Sequence, residues 1–330
     1  MGVMAGTTGT ARAIVAGLAL MTGACKEGVA QSTWQPAAGH TQIPIWPGPV
    51  PDARSDVGTE TLNYAVDDEG NKRLVAGRPR QYIENVTLPT ITVYAPKGVN
   101  TGAAVLVFPG GGFNNLAIDI EGTEACDWLT SIGVTCVLVK YRVPCKHVGR
   151  YNECPPAHQD AQRAMRIVRS RAAEWRINPN TIGVLGFSAG AHMVVIASIA
   201  FDKRLYHPVD AVDSVSSRPD FALSLYQGRT VDRRNDFAFN PDIQISPRTP
   251  PTFLVHSYDD SMNPVENTLA YAVALRKAGV SVEAHIFATG GHAFGLRRTE
   301  VSVTSWPDLA KGWMAGIGMT GLVHKPAVSH

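Results

Sequence analysis

The pentapeptide Gly186-Phe187-Ser188-Ala189-Gly190 lies between an apolar run, Thr181-Ile182-Gly183-Val184-Leu185, and a helix-forming stretch, Ala191 to Ser198. The backbone must leave a strand and enter a helix within a few residues. Side chains at the ends of so sharp a turn would collide, which is why glycine stands at both, and the central residue is forced toward positive φ. The serine hydroxyl is thereby pushed out beyond the sheet edge, the arrangement of a nucleophile elbow. A G-x-S-x-G string recurs by chance in a chain with 31 glycines. The flanking strand and helix signals are what give it meaning here.

Around this turn the sequence alternates between periods. Strand-like Ile91 to Tyr94 and Ala103 to Phe108 precede a helix near Gly122 to Ser131 and a strand Val134 to Tyr141. A helix is predicted over Ala157 to Glu174, with Ala161, Ala164, Met165, Ile167, Val168 and Ala172 as its apolar face and the arginines on the wet one. Beyond the elbow come a short strand Phe221 to Tyr226, a polar insertion over 227–249 that could form part of a lid, and a strand Thr252 to Ser257. A helix Val265 to Ala278 ends at Gly279, a strand Val282 to Phe287 follows, and a last helix runs from about Val303 to Met314. Such alternation predicts an α/β domain over 86–330: a mostly parallel central sheet of about eight strands, covered by helices on both faces, with chemistry at the strands' carboxyl ends. Residues 31–85, rich in Pro, Gly, Asp and Asn, are expected to be an irregular lead-in packing on that domain.

A net charge of +2, with Lys and Arg scattered, indicates neither a nucleic-acid patch nor a basic membrane face. Residues 1–30 stand apart. Arg12 precedes the apolar run Ala13 to Met21, far shorter than the roughly 20 residues that span a bilayer, and small residues follow. This is the pattern of a secretory signal peptide, cleaved after Ala24 or Ala30, and it predicts a secreted or periplasmic protein. Cys25 keeps a lipid anchor open as the sole membrane attachment. In an exported chain Cys126, Cys136, Cys145 and Cys154 can pair. Cys145 with Cys154 would staple a Pro- and Gly-containing loop, which leaves Cys126 with Cys136. The alternative for that loop is zinc held by Cys145, His147, Cys154 and His158; the ligand types suit zinc, but the spacing fits no zinc pattern.

A serine hydroxyl needs a base to take its proton and an acid to orient that base. His292, on the glycine-flanked loop Gly290-Gly291-His292-Ala293-Phe294-Gly295, follows the elbow in the right order and is the expected base. His256 and His285 lie within strands, where packed or solvated roles are expected. The acid belongs at the end of the preceding strand, where Asp259 and Asp260 compete. Neighbours on extended chain point oppositely, and the turn into the next helix follows Asp260 directly, so Asp260 is preferred and Asp259 is left to solvent or to loop bracing. Phe108-Pro109-Gly110-Gly111-Gly112-Phe113 can bring backbone amides to a developing oxyanion, with the Ala189 amide completing the hole. No G-K-[ST] or G-x-G-x-x-G continues from it, which disfavours a phosphate loop. A serine triad needs no metal or organic cofactor.

The chain resembles α/β-hydrolase-fold carboxylesterases of the branch holding acetylxylan and feruloyl esterases, akin to prolyl-oligopeptidase-type hydrolase domains. The resemblance runs from about Val86 to Trp313. It is carried by Pro109 to Phe113, Glu121-Gly122, Trp128-Leu129, Lys140-Tyr141-Arg142, Pro156 to Trp175 with Asp160, Gln162 and Arg163, Gly186 to His192, His256 to Asp260, and Gly290 to Gly295. It departs at Pro109, where many relatives carry histidine, at Ser257, where glycine is usual, and at Ala191. The resemblance implies Asp260 as triad acid, the amides of Gly111, Gly112 and Ala189 as oxyanion donors, and a small-molecule or carbohydrate ester as substrate, acetyl before feruloyl. A prolyl-oligopeptidase-type peptidase is the first alternative, although the lead-in is too short for the propeller such enzymes carry. A noncatalytic binding protein of the same fold is the second. Trp46, in an exposed-looking Pro-rich stretch, is the tryptophan expected to stack on a sugar.

Overall fold

The computed structural model describes residues 33–151 and 153–320, with residues 1, 2 and 6. The expected leader's Arg12, apolar run and cleavage points, and Cys25, lie outside the described residues. No helix among the described residues is long and apolar enough to cross a membrane.

Eight strands form the central sheet: β1 (Gln42–Pro44), β2 (Thr90–Tyr94), β3 (Ala104–Phe108), β4 (Thr135–Lys140), β5 (Ile182–Phe187), β6 (Ala222–Leu225), β7 (Thr252–Ser257) and β8 (Val282–Phe287). Their spatial order is β1-β2-β4-β3-β5-β6-β7-β8. β1 and β2 run antiparallel to their neighbours, and the strands from β4 to β8 are mutually parallel. Strands β3 to β7 are buried throughout, as parallel strands covered on both faces must be, whereas the edge strand β8 alternates with solvent.

Among the described residues five α-helices cover the sheet: α1 (Glu124–Ser131), α2 (Pro155–Ser170), α3 (Ala189–Ile199), α4 (Glu266–Lys277) and α5 (Trp306–Gly316). The period of two along β7 shows how the faces divide. Phe253 meets Trp313 of α5, while the next residue, Leu254, joins Val195 of α3 and Tyr271 and Leu275 of α4. Trp128 of α1 packs edge-on against Trp306, which puts α1 on the α5 face. A disulfide from Cys126 to Cys136 ties α1 to β4, and a second joins Cys145 to Cys154. Because Cys145 and Cys154 are bonded to each other, the alternative zinc set has no free thiolate.

The structure differs from the sequence reading in three places. The lead-in is more regular than its Pro and Gly content predicts: it supplies β1 and the antiparallel strands Thr61–Tyr64 and Gln81–Glu84, the second of which also pairs with Asn115–Leu116 of the α/β domain. The arginine face of α2 is not wet. Arg163 and Arg166 are buried, since the lead-in and the 201–220 segment cover them; Arg163 pairs with Asp210 and Asp213, and Arg166 bonds to the Tyr206 hydroxyl. Trp46 is 4% exposed, donates its Nε1–H to Asp160 at 2.8 Å, and cannot stack on a sugar as it stands. Burying an indole favours satisfying its one donor, and Asp160, also bound by Arg142, supplies the acceptor.

Candidate active site

Ser188 follows β5 and precedes the first residue of α3 with φ 52° and ψ −114°, outside the regions comfortable for a residue with a side chain. The flanking glycines are steric necessities. A Cβ on Gly186 would stand 2.1 Å from the Gly190 carbonyl oxygen, and one on Gly190 would stand 2.0 Å from that of Phe108 at the end of β3. The second approach also docks the elbow on the Pro109–Phe113 loop.

The His292 loop, after β8, brings the imidazole across to the serine. The Ser188 hydroxyl donates to His292 Nε2 at 2.9 Å, and His292 Nδ1–H donates to Asp260 Oδ2 at 2.7 Å, the tautomer that leaves Nε2 free to accept a proton. Asp260, buried after β7, also receives the amides of Met262 and Asn263 on Oδ1, each at 2.9 Å, and His256 Nε2 on Oδ2 at 3.2 Å. Burial alone would raise its pKa; hydrogen bonds from His256 and His292 and the charge of His292 outweigh it and hold the carboxyl below the usual range. His256 is itself fully buried and fixed by Thr268, whose Oγ1 lies 2.7 Å from Nδ1. Asp259 is exposed and accepts the amides of Gly290 and Gly291, bracing the loop that carries His292. His285, on β8, pairs with Glu283 away from this relay.

Gly111 and Gly112 line one cleft with Ser188 and His292, and a Cβ on Gly110 would stand 2.9 Å from that of Ser188. The Ala189 amide is one of the first-turn donors of α3 that have no partner within the helix. Beneath this loop sits Glu121, to which sequence patterning assigns no role. Its Oε2 accepts the Gly110 amide at 2.7 Å and its Oε1 accepts the Tyr226 hydroxyl at 2.8 Å. Burial raises the pKa of both Glu121 and Tyr226. The Tyr226 ring stands edge-on to His292 with centroids 5.0 Å apart, so one carboxylate ties the glycine loop to the wall beside the imidazole. Two acids, Asp119 and Glu121, interrupt the otherwise apolar residues 116–122, and they were the available signal.

The cleft over Ser188 measures about 630 Å³ and is polar for its size. The lead-in contributes Arg73, Arg80 and Tyr82 to its wall, a role that its loop-like composition did not reveal. Of residues 227–249, Arg229 lines the cleft, lying over the Phe113 ring at 4.8 Å, while Thr230 is bonded to Asn267 of α4. A nucleophile with a base, an oriented acid, nearby backbone donors and room for a polar group can perform acyl transfer.

Residues 105–296 match the α/β-hydrolase fold family. An acetylxylan esterase of Xylanibacter ruminicola is 31% identical over 207 residues, covering 59% of this chain and 42% of the relative. Esterase LipC of Mycobacterium tuberculosis is 26% identical over 221 residues, 59% of this chain and 54% of the relative. The chain thus spans about half or less of the length of these curated relatives. Among solved structures, an acetyl ester-xyloside bifunctional hydrolase from Caldicellulosiruptor lactoaceticus superposes with a TM-score of 0.65 at 32% identity, covering 85% of this chain and 97% of that one.

Proposed function

This chain belongs to the α/β-hydrolase fold family, among esterase-type relatives, and on that premise we propose that it is a serine carboxylic-ester hydrolase. The observation that carries the reading is the continuous relay from Ser188 Oγ through His292 to Asp260, with contacts of 2.9 and 2.7 Å. In the first half-reaction Ser188 Oγ attacks the ester carbonyl carbon as its proton passes to His292 Nε2. The amides of Gly111, Gly112 and Ala189 hold the oxyanion, and Asp260 stabilises the imidazolium. Collapse breaks the bond to the alcohol oxygen, which leaves with the proton from His292. Water, deprotonated by the same imidazole, then attacks the acyl-serine and releases the acid.

The substrate we propose is an acetyl ester on a plant polysaccharide or another short-chain ester, with feruloyl next. Two relatives are named for acetyl-ester chemistry, and the polar cleft with its arginines and tyrosine suits a hydroxyl-rich alcohol. Export is proposed with it, supported by the leader-like sequence and the two disulfides. The test is a hydrolysis screen of acetylated xylan, feruloyl sugars, aryl esters and proline peptides on one purified sample. Acetyl release that vanishes in Ser188→Ala is expected. Hydrolysis of proline peptides in place of esters would replace the reading with a peptidase.

A further inference from the structure

A second cluster of imidazole and carboxylate lies outside the relay. The first turns of α2 and α3 meet, and each presents a histidine: His158 from α2 and His192 from α3, one turn beyond Ser188. Glu153, just before α2, faces both, with Oε2 at 2.9 Å from His192 Nε2 and 3.6 Å from His158 Nε2. His158 is 8% exposed and His192 fully buried. Two of their nitrogens, His158 Nε2 and His192 Nδ1, have no hydrogen-bond partner among the described residues. Of the two, His158 Nε2 is the one that faces the Glu153 carboxylate, since His192 reaches it through Nε2. Buried polar atoms are rarely left so, and an unpartnered imidazole nitrogen aimed at a carboxylate is what a ligand set without its ion looks like.

From this geometry we infer that Glu153, His158 and His192 form a binding site for a divalent metal ion of zinc's class. Two imidazoles and one carboxylate are a donor set that zinc accepts, leaving a fourth position for water. The three ligand atoms lie within 4.8 Å of one another, against about 3.4 Å between ligands of tetrahedral zinc, so the side chains must close inward on the ion. The Glu153 backbone is pinned on both sides: its amide and carbonyl bond to Val148 at 2.9 and 3.0 Å, inside the loop closed by Cys145–Cys154. Phe113 roofs the pair with its ring centroid 6.1 and 6.5 Å from the two imidazoles. Entry is open, because Glu153 and His158 line a cleft of about 400 Å³ that does not include Ser188. Arg229 is the neighbouring cation, and its charge opposes a bound cation. Bound there, the ion clamps the starts of α2 and α3 together behind the elbow.

The test is calorimetric titration of the chelator-treated full chain with Zn²⁺, followed by thermal melting with and without the ion. One saturable equivalent and a raised melting temperature are expected. His158→Leu and Glu153→Gln should each weaken binding by at least the roughly 10- to 100-fold that loss of even an outer-shell partner costs, whereas His285→Asn, on β8, should bind as wild type does. Absence of saturable binding in the wild type overturns the site, as does undiminished binding in either variant. Glu153→Gln, near the surface, keeps the test decisive if His158→Leu does not fold.

Discussion

On one side of the elbow, His292 and Asp260 join Ser188; one turn along α3, His192 joins Glu153 and His158. Both groups set imidazole against carboxylate, and the difference lies in how their polar atoms are satisfied. Asp260 is met by His292, His256 and two backbone amides, so its position and that of the imidazole it holds are over-determined. In the other cluster two ring nitrogens have no partner among the described residues. A network complete without a ligand is preorganised to act on one, whereas an incomplete network waits for a ligand to complete it.

The largest effect that would break this comparison is loss of the nucleophile. Ser188→Ala should lower kcat on a short-chain aryl ester by about a millionfold while the melting temperature stays near wild type, as steady-state kinetics and calorimetry would show. Asp260→Asn should cost about 10⁴-fold in kcat by spoiling the His292 tautomer. The same variant sharpens the electrostatic half of the comparison. The folded-state pKa of Asp260 is depressed, so its contribution to stability is complete above the unfolded value of about 3.9 and is lost as pH falls through the lower folded value. Denaturant melts of wild type and Asp260→Asn should therefore differ most at neutral pH and converge on acidification.

Replacing Cys145 and Cys154 together with serine removes the clip behind Glu153 and should cost on the order of 2–3 kcal/mol of stability for a loop of this length, read from urea midpoints. Activity should survive that change better than zinc binding does, because the relay draws no residue from the loop. The smallest effect belongs to Asp259. Asp259→Asn loosens an exposed brace on Gly290 and Gly291 and should reduce kcat by about tenfold or less, against the four decades expected at Asp260. A larger loss at Asp259 than at Asp260 would mean that the two carboxylates had been assigned the wrong way round.

What could be read before folding was whatever leaves a local trace. The elbow needs glycine at both ends for contacts only a few residues away in sequence, and the strand and helix periods are local too. The order of Ser188, Asp260 and His292, each at the end of a strand, reflects the rule that parallel sheets gather their carboxyl ends on one edge. Features set by distant pairing were not legible. Arg163 and Arg166 are the residues expected on a wet helix face, and only Asp210, Asp213 and Tyr206, brought in by a later segment, allow them to be buried. Trp46 looked exposed because its partner, Asp160, lies 114 residues away. Tyr226 and Glu121, separated by 105 residues, have no joint signature. The lead-in's place in the cleft wall follows from antiparallel pairing that its turn-rich composition masks.

The central claim is that the relay makes Ser188 a nucleophile, and fluorophosphonate labelling with peptide mapping tests it most directly. The account predicts a single adduct on Ser188 that disappears when His292 is replaced by alanine. A fully folded wild-type protein that takes up no label, or takes it at another residue, would contradict it.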